Sequence, residues 1–149
     1  MTVGEVCNRE VVFVLATESV VEAARLMRQH HVGDLVVVEE REGRRVPVGI
    51  VTDRDLVLEV LAAEIDPNKL TAGDVMSDEL VTAREEDSLF DTIERLRAHG
   101  IRRLPVVDRE GSLVGILTVD DLIELLAEIV SHLAALLERE RMREKARRR

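Results

Sequence analysis

One short stretch of this chain is written twice, and that duplication constrains the fold more than any other feature. Gly49-Ile50-Val51-Thr52-Asp53-Arg54-Asp55 stands 66 residues ahead of Gly115-Ile116-Leu117-Thr118-Val119-Asp120-Asp121, and each copy follows a valine and ends at a leucine, Leu56 or Leu122. Upstream an offset of 69 pairs Gly4 with Gly73, Val12 with Val81, Ser19 with Ser88, His30 with His99, Leu35 with Leu104 and Val37-Val38 with Val106-Val107. A single length change, three residues in one loop, reconciles the two offsets. An internal repeat of this kind sets the architecture before any local signal is read.

Each copy carries the same succession of signals. A β-rich segment, Val11 to Leu15 in the first copy, runs into Ser19-Val20-Val21-Glu22, the spacing of a helix capping box, and Ser88-Leu89-Phe90-Asp91 stands at the equivalent place. The helices that follow place Val20, Ala23, Ala24 and Met27, or Phe90, Ile93 and Leu96, on one face. Two β-branched runs come next, 35–38 and 46–52, matched by 104–107 and 113–118, with Glu42-Gly43 and Glu110-Gly111 as hairpin turns. A second helix starts at the Thr of the duplicated motif. The expected fold is therefore α/β: two β-α-β-β-α repeats packed through their sheets about a pseudo-two-fold axis.

The boundaries follow from the same reading. Residues 1–65 form repeat 1, 66–70 a linker broken by Asp66-Pro67-Asn68, 71–130 repeat 2, and 131–149 a helical extension with a basic tail. In the last helix Leu122, Leu126, Ile129, Leu133 and Leu136 follow a 4-3-4-3 spacing. That stripe is longer than one half needs to cover itself, so part of it is expected to face a second copy in a homodimer.

Composition limits the partners. The net charge is −9, but residues 138–149 hold seven basic and three acidic residues, a local +4 that leaves −13 on the remainder. An acidic body with no Trp, no Tyr and two Phe offers little to a nucleic acid outside the basic tail. No apolar run reaches the ~18 residues of a membrane span and the N-terminus lacks a signal-peptide pattern, so a cytoplasmic location is expected. The single cysteine, Cys7, excludes an internal disulfide, and the four histidines show no metal-ligand spacing.

Thr-x-x-Asp by itself is a helix start, with Thr as N-cap and the acid favoured by the helix dipole. The preceding Gly and the duplication ask for more. Gly lets a ligand or another backbone approach closely, a helix N-terminus presents N–H groups, and a carboxylate accepts hydrogen bonds from neighbouring hydroxyls such as those of a ribose.

Together with His99-Gly100-Ile101-Arg102-Arg103-Leu104-Pro105-Val106-Val107, Gly4-Glu5-Val6 and Gly73-Asp74-Val75-Met76, the duplicated motif resembles a tandem pair of cystathionine-β-synthase-type (CBS) domains, a Bateman module, from residue 3 to about 130. The resemblance implies a non-catalytic regulatory module that binds an adenosine ligand, AMP, ADP or ATP and in some members S-adenosylmethionine or a dinucleotide, and acts on an effector protein. It implies two clefts, one pairing Thr118, Asp121 and Ile116 with Cys7, Val12 and Val32, the other pairing Thr52, Asp55 and Ile50 with Ser77, Val81 and Ile101.

In nucleotide-binding members, basic residues at the positions of Arg102 and Arg103 are directed at phosphate. The first repeat has Gly33 and Asp34 there. A guanidinium grips phosphate and a carboxylate repels it. On this reading the arginines belong to the Thr118 cleft, which takes the phosphorylated adenosine, with Mg2+ carried on the phosphate near Asp120 and Asp121. The Thr52 cleft takes a less anionic ligand, although Arg54 could reach it. Cys7 is read as a small apolar contact to adenine. A scaffold with degenerate clefts, built around the long terminal helix, is the rival reading.

Overall fold

The computed structural model describes residues 1–148. The first half runs α1 (Val3–Val6), β1 (Phe13–Leu15), α2 (Val20–His30), β2 (Asp34–Arg41), β3 (Arg44–Thr52) and α3 (Asp53–Leu56), which loosens into a π-helical turn over Val57–Leu61. After a 3-10 turn at Pro67–Lys69 come α4 (Ala72–Val75), β4 (Ala83–Arg84), α5 (Leu89–His99), β5 (Arg103–Val107), β6 (Leu113–Thr118) and α6 (Val119–Arg147). Each half thus carries the expected β-α-β-β-α unit, preceded by one short helix.

The strands form two three-stranded sheets, β1-β2-β3 and β4-β5-β6, with the first pair parallel and the second antiparallel in each. A bulge falls between Val37 and Val38 in one sheet and between Val106 and Val107 in the other, which are equivalent positions. The length difference between the copies is taken up in the hairpins. In the first, Glu42 and Gly43 both have positive φ, 53° and 76°, closing a two-residue turn between longer strands. In the second, Gly111 has φ 87° and the Asp108 carboxylate accepts the N–H groups of Glu110 and Ser112, both at 2.9 Å.

The helices dock with three of the four expected residues buried on one side of the molecule and with a rotation on the other. In α2, Val20, Ala23 and Met27 are buried, Ala24 is exposed, and Leu26 packs against the core instead. In α5 the buried residues are Leu89, Thr92 and Leu96, while Phe90 lies 73% exposed. The expected face of Phe90, Ile93 and Leu96 is therefore corrected by a fraction of a turn. A buried Thr is tolerated because its hydroxyl donates to Ser88 O at 2.8 Å, leaving no orphaned polar group. Both helices end in a left-handed residue, Gly100 at φ 62° and, less comfortably, His31 at φ 54°.

Packing does not respect the repeat boundaries. Val3 is fully buried in a cluster with Ala83, Leu89, Leu96, Leu104, Val106 and Leu117, all from the second half. Conversely Ala72 completes the cluster of Val14, Ala23, Met27, Leu35, Val37 and Val51. The exchange is fixed by matched backbone hydrogen bonds: Val3 N–H to Asp87 O and Ala72 N–H to Glu18 O, Gly4 N–H to Glu85 O and Gly73 N–H to Ala16 O, all between 2.8 and 3.0 Å. Each half is closed by the opening segment of the other.

Candidate ligand-binding site

The site begins where β3 and β6 end. Thr52 and Thr118 leave their strands in extended conformation, with φ −112° and −122°, and each caps the helix that follows. Thr52 Oγ1 accepts Asp55 N–H, and Thr118 Oγ1 accepts Asp121 N–H, both at 3.1 Å. Only the first motif closes the box: Thr52 N–H donates to Asp55 Oδ2 at 2.8 Å, and no such return bond ties Asp121 to Thr118. The Thr-x-x-acid pattern also makes full capping boxes at Thr2–Glu5 and Thr71–Asp74, where it opens the short helices α1 and α4.

The glycine of each motif has a definite task. A Cβ on Gly49 would lie 2.5 Å from Met76 Sδ and 2.6 Å from Ser77 O; one on Gly115 would lie 2.8 Å from Asn8 O and 2.9 Å from Cys7 Sγ. Of the two partners admitted by the sequence, backbone is therefore the one found. Ile50 and Ser77 exchange two backbone hydrogen bonds, at 3.2 and 2.9 Å, and Ile116 and Asn8 exchange two at 2.9 Å. These bridges hold the opening segment of one half against the motif strand of the other.

Beside the first bridge lies a cavity of about 290 Å³, lined by Ile50, Thr52, Ser77, Glu79, Leu80, Val81, Ile101, Arg102 and Arg103. Five of these were grouped by the sequence reading. Glu79 and Leu80 were missed, and no motif marks them. Asp55 stands one helical turn from Thr52, its Oδ2 held by the cap.

The arginines correct the expectation. Arg102 and Arg103 line the cavity of Thr52, not a cleft at Thr118. The physical reason is the chain crossing: the loop from α5 to β5 faces the end of β3 across the axis. Arg103 Nη1 lies 2.7 Å from Asp34 Oδ1, and Arg102 Nη2 lies 2.9 Å from Asp120 Oδ1. Burial pushes the Asp34 carboxyl up, against the pull of Arg103, and Asp53 adds to the rise.

Of the residues expected beside Thr118, Cys7 packs against the core of the second half, and Val12 and Val32 against that of the first. Burial raises the Cys7 thiol, which suits an apolar contact better than a nucleophile. Arg54 is not among the residues lining the cavity, and its N–H is held by Asp53 Oδ1 at 2.8 Å. His99 meets a carbonyl near the end of its helix, Nδ1 lying 2.9 Å from Arg95 O. Among the described residues no group of three His, Cys, Asp or Glu side chains could hold a metal ion, and no helix is long and apolar enough to cross a membrane.

Paired repeats, exchanged openings and paired motifs at strand ends agree with comparison to known sequences, where the CBS domain matches residues 3–62 and again 72–128. The chain belongs to the CBS-domain family. An uncharacterized protein of Methanopyrus kandleri is 37% identical over 88% of this chain and 65% of its own length. The CBS domain-containing protein YhcV of Bacillus subtilis is 39% identical over 81% and 82%.

Among solved CBS structures, Hypoxic Response Protein I, crystallised with two coordinated zinc ions, is 32% identical over 83% of this chain and 98% of that one, with a TM-score of 0.71. A CBS domain pair solved in complex with 5′-methylthioadenosine and S-adenosyl-L-methionine is 27% identical over 86% and 97%, with a TM-score of 0.70. Two CBS repeats in one chain therefore account for residues 3–62 and 72–128, and α6 continues past them.

Proposed function

We propose that this CBS pair is a non-catalytic regulatory module that binds a phosphorylated adenosine, AMP, ADP or ATP, in the Thr52 cleft. Adenine would lie against Ile50, Val81 and Ile101, the ribose would meet Thr52 and Asp55, and the phosphate would meet Arg102 and Arg103. The observation that carries this reading is the convergence of two guanidiniums with an apolar wall and a helix cap in one 290 Å³ cavity. The complex of a similar CBS pair with two adenosine compounds supports the ligand class. Thr118, Asp121, Ile116, Cys7, Val12 and Val32 would form the second, less cationic cleft, suited to a less anionic adenosine ligand. Mg2+ would enter only with the nucleotide phosphate. The signal would pass to an effector protein by a change in shape or assembly, which requires unequal affinity for the two states.

Calorimetric titration with AMP, ADP and ATP tests the assignment. Asp55→Ala is expected to weaken the tighter site about tenfold or more, since a charged hydrogen bond contributes roughly 1.5 to 3 kcal/mol. Asp121→Ala should leave that site intact. Loss of the tighter site in Asp121→Ala alone would reverse the assignment.

A scaffold reading has its own support. Leu126, Ile129, Leu133 and Leu136 are all exposed along α6, and with α5 the first turns of that helix border an apolar groove of about 540 Å³ that includes Phe90. A second copy laid on these surfaces gives the homodimer. Truncation at Ser131 followed by light scattering tests it: a dimer that persists unchanged would exclude the extension from assembly. No response to any adenosine compound at millimolar concentration would favour the scaffold over the sensor.

A further inference from the structure

Neither arginine of the proposed phosphate site is free. Arg103 is paired with Asp34 at 2.7 Å, the two side chains being 30% and 21% exposed, and Arg102 with Asp120 at 2.9 Å, at 70% and 68%. The origins of these carboxylates matter. Asp34 is the repeat-equivalent of Arg103, so the two halves meet here with opposite charges at one equivalent position. Asp120 adjoins Asp121 and belongs to the second Thr-x-x-Asp motif.

Resting on the reading that phosphate enters the Thr52 cleft, we infer that Asp34 and Asp120 are internal competitors for it, and that they set the charge selectivity of that cleft. In the free protein each guanidinium already has an anion. A phosphate that takes Arg103 Nη1 or Arg102 Nη2 must displace that anion, and the displaced Asp34 would be left partly buried within the field of Asp53, an unfavourable position for a carboxylate. A phosphate offers several oxygens and up to two charges against one carboxylate contact, so a dianion can win where a weaker anion does not. Uncharged adenosine makes no demand on either arginine. Its affinity is therefore independent of both acids.

A second consequence concerns the neighbouring motif. Asp120 released from Arg102 adds an uncompensated negative charge beside Asp121. Phosphate in the first cleft then disfavours phosphate in the second, a coupling that is reciprocal by linkage.

The test is calorimetric titration of the full chain with AMP and, separately, with adenosine, on the parent, Asp34→Asn and Asp120→Asn. We expect AMP to bind about fivefold tighter to Asp34→Asn and about twofold tighter to Asp120→Asn, in keeping with the small worth of exposed ion pairs and the larger worth of covered ones. Adenosine affinity should not change in either. Thermal melting monitors folding, and the exposed Asp120 supplies a variant whose fold is not at risk.

Unchanged or weaker AMP binding in both variants, with a parent that prefers AMP to adenosine, overturns the competition. Equal gains for AMP and adenosine also overturn it, because they mean the cleft has merely loosened. A parent that binds AMP no better than adenosine, or binds neither, instead removes the assignment of phosphate to the arginines, and the competition falls with it.

Discussion

Thr52 and Thr118 hold equivalent places, each ending a strand and opening a helix, yet their surroundings diverge in three ways. Two arginines line the cavity at Thr52, whereas the repeat-equivalent positions of the first half are Gly33 and Asp34. Asp55 is locked into a reciprocal cap, and Asp121 is not. The helix after Thr52 relaxes into a π turn within four residues, while the helix after Thr118 runs to Arg147. Duplication fixed the backbone geometry of both motifs, and side-chain charge then separated their chemistry. On the proposed function, one end is suited to an anion and the other to extended contact.

The sharpest way to break this contrast is to erase the charge difference. Arg102→Gln with Arg103→Gln should weaken AMP binding about 30- to 100-fold by calorimetry, since charge-assisted phosphate contacts are roughly twice as strong as neutral ones. Adenosine binding should barely respond.

The bridges offer the next largest effect. Gly49→Ala must displace Ser77 O from 2.6 Å, and Gly115→Ala must displace Asn8 O from 2.8 Å. Overpacking against backbone should destabilise by about 2 to 3 kcal/mol at Gly49 and somewhat less at Gly115. Urea unfolding measures both, and a larger loss at Gly115 would invert the expected order.

A smaller effect is expected where the halves end equivalent helices differently. His31→Gly, which gives α2 the cap that Gly100 gives α5, should stabilise by ~0.5 to 1 kcal/mol, visible as a raised melting temperature.

The smallest prediction concerns acid. Hydrogen bonds from the Thr71 backbone and hydroxyl region hold the Asp74 carboxyl below its ordinary value, so its ionised form is favoured in the folded chain. That contribution is complete above the ordinary carboxylate value and disappears as pH falls through the lowered one. Asp74→Asn should therefore melt slightly below the parent at neutral pH, with the gap closing in acid.

Much of this was legible in the sequence, and the misses share a cause. The repeat gave the succession of elements and both helix starts at Thr52 and Thr118, because equivalent residues must satisfy equivalent backbones. The cavity group of Ile50, Thr52, Ser77, Val81 and Ile101 came from the resemblance. The side to which Arg102 and Arg103 turn did not follow, because adjacency in sequence to the second motif says nothing about which cleft a crossing loop faces. Phe90 was misplaced for a related reason: three apolar residues at helical spacing define a stripe, but Leu89 and Thr92 take the buried positions, the Thr92 hydroxyl being satisfied by Ser88 O. Asp34 was read as a repulsive group, and its role as the partner of Arg103 needed the pseudo-two-fold contact to be seen.

The exchange of opening segments has a bearing on how such a chain is made. Val3 finds its place only against the second half, in a cluster with Leu104, Val106 and Leu117. The core of the second half is therefore completed by α1 from about a hundred residues away in sequence, and contacts of such high sequence separation slow folding. A single repeat produced alone would hold its opening segment with nothing to receive it, and could complete its core only by trading that segment with an identical neighbour.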